Sequence, residues 1–430
     1  MLESLFKLRE HGTTVRTEII AGITTFMTMA YILAVNPAVL GTTGMDKHAL
    51  FTATALSAVI GTLAMALLAN LPVVVASGMG LNAFFAFTVV QGLGYKWQFA
   101  ITAVFIEGLL FLVLTFFNIR ELIVNSIPQT LKHAIPVGIG LFITLIGLKH
   151  SGLIVGNEAT LVTLGNIANP HVWVLFIGLI VTSVLVTLDV KGAILIGIIV
   201  AAFAGVPLGV TVLPSGAWIS LPPSISPIFM KFEWTQIFTA DMAIVVFTFL
   251  FVNLFDTVGT LIGVASKAGL ILPDGSFPKV KQALFSDAIG TTIGAVLGTS
   301  TVTAYVESVS GVAAGGRTGL TAMATAGMFL LALFFAPIFL LVPDAATAPA
   351  LIIVGLFMIS SVVNIDFNDF GESIPAFITI VMMPFTYSIA QGIVFGMLSF
   401  VFIKVFTGKA SQVNIAVYII AVLFILKFFF

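Results

Sequence analysis

Apolar residues run through this chain in blocks of about 20, the length a helix needs to cross a bilayer at 1.5 Å per residue. Such blocks lie near 15–36, 49–69, 97–117, 131–149, 171–188 and 192–208, then near 238–262, 281–297, 319–341, 347–363, 373–388 and 390–407. Two further intervals are apolar but interrupted. From 71 to 95, Pro72-Val-Val-Val-Ala76 reads as a strand, Ser77 to Gly80 as a turn, and Leu81 to Phe85 as the start of a short helix. From 299 to 316, Thr and Val alternate over Ser300 to Tyr305 before small residues take over, which predicts an extended segment feeding a half-length helix. Broken spans of this kind build small-molecule sites near the bilayer midplane. The pattern predicts an all-α polytopic membrane protein with fourteen transmembrane segments, the third and tenth broken and carrying short strands.

The positions of the broken spans divide the chain into seven plus seven. A shift of 225 residues lays Asn82 on Glu307 and Tyr31 on Asp256, and puts the fourth span over the eleventh. Seven is odd, so the second half is expected to be an inverted copy of the first. With the N-terminus cytoplasmic, thirteen of the 17 Lys and Arg fall on cytoplasmic connections, against Lys47, Lys96, Lys149 and Lys231 outside. Residues 1–14, with Leu2, Leu5, Phe6 and Leu8 among charges, read as an interfacial helix rather than a signal peptide.

Composition agrees with the pattern. The chain is 59% hydrophobic and 8% charged with a mean hydropathy of +1.19, whereas soluble domains carry about 25% charged residues. With no cysteine, disulfides and thiolate metal sites are excluded. The formal net charge of −1 and the lack of a basic stripe argue against a nucleic-acid partner. No cofactor or metal site is expected. The five histidines form no His-Glu-x-x-His pair, and Gly311 to Gly316 lacks the Gly-Lys-Ser/Thr ending of a phosphate loop, so its small residues read as helix packing.

The intramembrane acids are Glu107, Asp256 and Glu307, with Asp241 and Asp287 nearer the ends of spans. A charge at mid-membrane costs about 2.5–3.5 kcal/mol on insertion scales, so each acid must face protein or a water-filled cavity. For Glu107 the simple reading is a helix-to-helix hydrogen bond. Asp256 and Glu307 lie in polar, glycine-bearing motifs, and Asn82 occupies the matching position of the other broken span, which marks these three as site candidates.

Four stretches give the pattern a family. Ala21-Gly-Ile-Thr-Thr-Phe-Met-Thr-Met-Ala-Tyr-Ile-Leu-Ala-Val-Asn-Pro37, Gly78-Met-Gly-Leu-Asn-Ala-Phe84, Phe255-Asp-Thr-Val-Gly-Thr260, and Thr301-Val-Thr-Ala-Tyr-Val-Glu-Ser308 with Ala313-Ala-Gly-Gly-Arg-Thr-Gly-Leu320 resemble the azaguanine-type purine permeases of the nucleobase:cation symporter-2 superfamily. The resemblance implies proton-coupled uptake of purine bases by movement of a core domain against a gate domain. The core comprises 1–130 (spans 1 to 4) and 238–341 (spans 8 to 11); the gate comprises 131–210 (spans 5 to 7) and 342–410 (spans 12 to 14). An apolar tail, 411–430, either spans the membrane or lies along it. By the same resemblance Asn82, Asp256 and Glu307 match substrate-site positions, and their neighbours Ala83, Thr260 and Val306 are further substrate-binding candidates. The wider superfamily implies homodimerisation through the gate domain. A compact chain of this kind suits a bacterial inner membrane.

Purine chemistry agrees with these residues. An oxopurine presents N1–H, and guanine also a 2-amino group, as adjacent donors that one carboxylate can accept. Glu307 suits that role, which favours guanine and hypoxanthine over adenine, while Asn82 can meet the imidazole edge or O6. Glu307 is expected at the first turn of a half-helix, where unpaired N–H groups favour an anion. Of the two proton-coupling candidates, Asp256 and Glu307, Asp256, in a continuous helix with Thr260 one turn on, is the expected main carrier. Phe26, Phe84 and Phe255 offer stacking faces, but among 40 phenylalanines any one reads first as packing. The rival readings are an adenine permease of the same fold, an intramembrane hydrolase using paired acids, and an anion transporter on the same inverted-repeat plan, which the acids disfavour.

Overall fold

The computed structural model describes all residues except 1, 118–127, 214–215, 271–276, 278, 416, 419–420, 423 and 426–430, and the side chains of 4, 255, 262 and 266. Arg120, Lys427 and part of the 411–430 tail therefore lie outside the described residues. In chain order the helices begin with α1 (Leu2–Phe6), α2 (Val15–Met29), α3 (Ile32–Gly41) and α4 (Lys47–Ala64). Strand β1 (Val75–Ser77) feeds α5 (Met79–Ala83), a π-helical stretch continues to Gly92, and α6 (Trp97–Phe116) and α7 (Gln129–His150) follow. A hairpin of β2 (Ile154–Asn157) and β3 (Leu161–Leu164) precedes α8 (Pro170–Thr187) and α9 (Ala193–Ala204). The second half holds α10 (Ala240–Ala268), α11 (Val280–Leu297), β4 (Val302–Ala304), α12 (Ser308–Ala313) and α13 (Gly319–Ala332). It closes with α14 (Ala336–Leu340), α15 (Asp344–Ile359), α16 (Phe370–Phe385) and α17 (Ile389–Phe406).

Every predicted span interval holds a helix or a strand-helix pair. Among the described residues nine helical stretches are long and apolar enough to cross a membrane, and Met79–Gly92, Ala193–Ala204 and Phe370–Phe385 are shorter apolar helices. Two compact units form: Met1–Phe116 with Gly147–Ala350, and Phe117–Ile146 with Leu351–Phe430.

In the first unit the two broken spans meet. β1 and β4 pair antiparallel, Val75 opposite Ala304, Ala76 opposite Thr303 and Ser77 opposite Val302. The ladder is extended at its ends by Tyr305 N–H to Val74 O and Gly78 N–H to Thr301 O, both 2.9 Å. Alternation along β4 sorts its side chains: Thr301 and Thr303 turn toward α6 and α10, while Val302 packs on Gly61 of α4 and Gly290 of α11. Those two glycines face one another so closely that a Cβ on either would stand 3.2–3.3 Å from the other's Cα. Small residues also seat α12, because a Cβ at Gly311 would collide with Thr25 and the Ala21 carbonyl of α2. The predicted packing role of Gly311 to Gly316 holds.

Several expectations are corrected. The first span runs on to Gly41, with a local interruption at Ala30–Tyr31 between α2 and α3. The strand of the third span begins at Val75 rather than Pro72, since pairing with β4 sets its bounds. The predicted interfacial helix over 1–14 stops at Phe6, where Lys7 takes φ 53°, and Phe6 and Leu8 are buried against Leu320 and Met323 instead of facing lipid. The segment 211–237 is stitched onto the unit by Thr52 Oγ1 to Pro223 O (2.8 Å), Ser220 N–H to Phe334 O (3.0 Å) and Met230 N–H to Val296 O (2.9 Å). At the starts of α6 and α10, the Tyr95 hydroxyl donates to Asp241, and that hydrogen bond pushes the phenol up to about 12.

In the second unit α16 and α17 form a hairpin whose ends are joined by a buried ion pair, Lys404 Nζ to Glu372 at 2.7 Å. Glu372 also accepts from Thr130 Oγ1 of α7 at 2.5 Å, and Gly138 of α7 lies against Met383 of α16.

Candidate functional site

The strand crossing gathers residues far apart in sequence. Glu307 stands at the start of the half-helix α12, where it was expected, as its N-cap residue and without a side-chain capping bond. The neighbour that satisfies it is Tyr31, at the break between α2 and α3, whose hydroxyl donates to Glu307 Oε1 at 2.7 Å. Glu307 is half-buried. Asp256, also half-buried on α10, is hydrogen-bonded by Thr303 of β4 and lies within electrostatic reach of Glu307. Tyr305, whose hydroxyl donates to Ser77 O at 2.5 Å, stands between the two strands and near both acids. Thr260 is half-buried one turn beyond Asp256, and Val306 is 51% exposed beside Glu307.

Asn82, on α5, is fully buried. Its Oδ1 accepts from Ser77 Oγ at 2.9 Å and from Ser300 Oγ, while Nδ2 has no partner. A buried amide N–H without an acceptor costs about 1–3 kcal/mol, so this donor is available to a ligand or a water. Ala83 is buried beside it. Of the candidate stacking rings, Phe26 is edge-on to Phe329 at 5.1 Å and Phe84 edge-on to Phe249 at 4.8 Å, so both serve packing; the Phe255 side chain lies outside the described residues. No group of three metal-ligating side chains occurs among the described residues.

A permease family, that of the xanthine and uracil permeases, matches residues 16–395. The chain belongs to that family. Its relatives include a putative permease of Methanocaldococcus jannaschii, 48% identical over 99% of this chain and 98% of the relative. Others are the adenine permease AdeP of Escherichia coli, 48% identical over 100% and 96%, and the guanine/hypoxanthine permease PbuG of Bacillus subtilis, 46% identical over 100% of both. Among solved structures, the transmembrane domain of the cyanobacterial bicarbonate transporter BicA shares the fold with a TM-score of 0.63 at 15% identity, covering 90% of this chain and 97% of that one. The murine Solute Carrier 26 member A9 anion transporter does so at 0.63 and 12%, covering 90% and 68%. The chain is thus a multi-pass membrane permease with the inverted-repeat fold of these transporters, and its family is one of transporters rather than enzymes.

Sequence reasoning missed several residues of this permease. Tyr31 was visible only as the symmetry mate of Asp256, and nothing in its own motif pointed at Glu307. Asp287, expected near the end of a span, is fully buried on α11 and accepts from Thr257 Oγ1 at 3.1 Å. Glu18 is also fully buried, and it accepts from the Arg317, Thr318 and Thr321 amides and from the Thr318 and Thr321 hydroxyls at 2.6–3.2 Å. Its partners lie about 300 residues away in sequence, so nothing local to Glu18 pointed to them.

Proposed function

We propose that this permease takes up purine nucleobases with protons by alternating access, as an azaguanine-type member of its family. The observation that carries the reading is the convergence of Glu307, Asp256 and an unsatisfied Asn82 amide at the crossing of the two broken spans. Glu307 accepts the donor edge of an oxopurine, Asn82 Nδ2 donates to an acceptor such as O6, and Asp256 carries the coupled proton. Ala83, Val306 and Thr260 line the same site. On this reading the core domain (1–130, 238–341) moves against the gate domain (131–210, 342–410), the N-terminus is cytoplasmic, the permease sits in a bacterial-type inner membrane, and two copies associate through the gate.

Guanine and hypoxanthine are the proposed substrates, because a carboxylate is an acceptor for N1–H and the 2-amino group, while adenine presents an N1 acceptor there. Adenine is the second reading, favoured by the 48% identity to E. coli adenine permeases. The test is uptake of labelled guanine in cells lacking their own permeases, competed with hypoxanthine, adenine, xanthine and uracil, with and without a protonophore. Competition by hypoxanthine and loss of accumulation with the protonophore are expected. Competition by adenine alone would transfer the assignment to the second reading.

A further inference from the structure

Behind the site, Glu107 lies midway along α6 and is fully buried. Its two oxygens are spent on two different elements. Oε1 accepts from Asn253 Nδ2 on α10 at 2.9 Å, and Oε2 accepts from Thr301 Oγ1, at the approach to β4, at 3.2 Å. Asn253 stands nearly one turn before Asp256, and its Oδ1 accepts from Thr257 Oγ1 at 3.1 Å. Thr257 in turn lies within hydrogen-bonding distance, 2.8 Å, of the Thr303 hydroxyl on β4. Thr301 is on the strand segment that leads to Glu307. One carboxylate therefore holds both the helix that carries Asp256 and the strand that delivers Glu307. The helix-to-helix hydrogen bond expected for Glu107 is present, with a second arm to the strand. An acid at this depth is expensive unless every lone pair is used, and apolar packing alone would be served as well by a leucine or methionine.

We propose that Glu107 is a positioning residue for the substrate site, bracing α10 against β4 so that Asp256 and Glu307 stand at the separation a purine requires. The proposal rests on reading those two acids as the substrate site. The groups facing this brace are Asn253 and, through Thr257, Asp287 on α11 and Thr303 beside Asp256. A brace sets affinity, whereas a proton carrier would set the pH profile.

The test is purine uptake by variants matched for amount in the membrane. Glu107→Ala is expected to raise KM about tenfold, the effect of stranding buried donors, with kcat within about twofold. Glu107→Gln keeps a carbonyl for Asn253 and presents an amide to the Thr301 hydroxyl, so it is expected to recover most of the affinity with the parent pH profile. Asn253→Ala should act in the same direction, and the double variant should be no worse than the larger single, since both remove one connection. An unchanged KM in Glu107→Ala overturns the proposal. So does a Glu107→Gln variant that fails like Ala and shifts the pH profile, which would make Glu107 a proton carrier. If Glu107→Ala does not reach the membrane, Thr301→Val removes a single arm and must still raise KM. Failure of the parent permease to take up any purine would instead refute the proposed function.

Discussion

At the scale of residues, the environment of Glu307 separates its role from that of Asp256. One Glu307 oxygen is engaged by the Tyr31 phenol, which on the proposed reading would orient the carboxylate toward a purine, whereas Asp256 lies beside the Thr303 hydroxyl. Asp256→Asn is therefore expected to keep purine binding but to lose protonophore-sensitive accumulation, and Glu307→Gln to lose binding. Binding to purified protein and uptake into vesicles read the two properties separately. Intact accumulation in the asparagine variant, with coupling lost but binding kept in the glutamine variant, would exchange the roles. The three candidates Asn82, Asp256 and Glu307 were readable in sequence because a polar residue in an apolar run is an anomaly on its own. Tyr31, Asp287 and Glu18 were not, because an aromatic passes as core and an acid near a span end passes as solvated. Their meaning lies in contacts with residues hundreds of positions away.

At the scale of elements, Glu18 shows how the entry to a span is pinned. It ties the Arg317 and Thr318 amides just before α13, and the Thr321 amide in its first turn, onto α2. Glu18→Ala should leave those donors unmet and cost about 2–3 kcal/mol. Thermal unfolding of the detergent-solubilised protein is expected to fall by several degrees, with Glu18→Gln falling less. An unaltered melting temperature in Glu18→Ala would show that water replaces the carboxylate. Spans were legible as elements because each is a run of apolar residues set by bilayer thickness. The break at Ala30–Tyr31 was invisible, since Ala-Tyr carries no helix-breaking signal. The exposed hairpin of β2 and β3 also lay in what read as a connection, too short and mixed to declare a strand.

At the scale of the molecule, an inverted-repeat transporter fold was legible from the two broken spans, and the fold is shared with BicA. The two-unit grouping was not legible, because it depends on which helices touch. The pairing of β1 with β4 has a consequence for how such a gene can change. Side chains in a strand alternate between faces, so adding or deleting one codon in either strand would swap every later side chain to the opposite face. Thr301 and Thr303 would then be traded against Val302, and the stretches around Asn82 and Glu307 would lose their common register. The two coding segments, 227 codons apart, are thus locked in length while free to vary in much of their spelling. A scan of single-codon insertions and deletions, selected for growth on a purine, should find residues 74–78 and 301–305 intolerant and the exposed turn at 158–160 permissive. Tolerance of length changes in both strands would mean that the ladder is not what holds the two repeats in step.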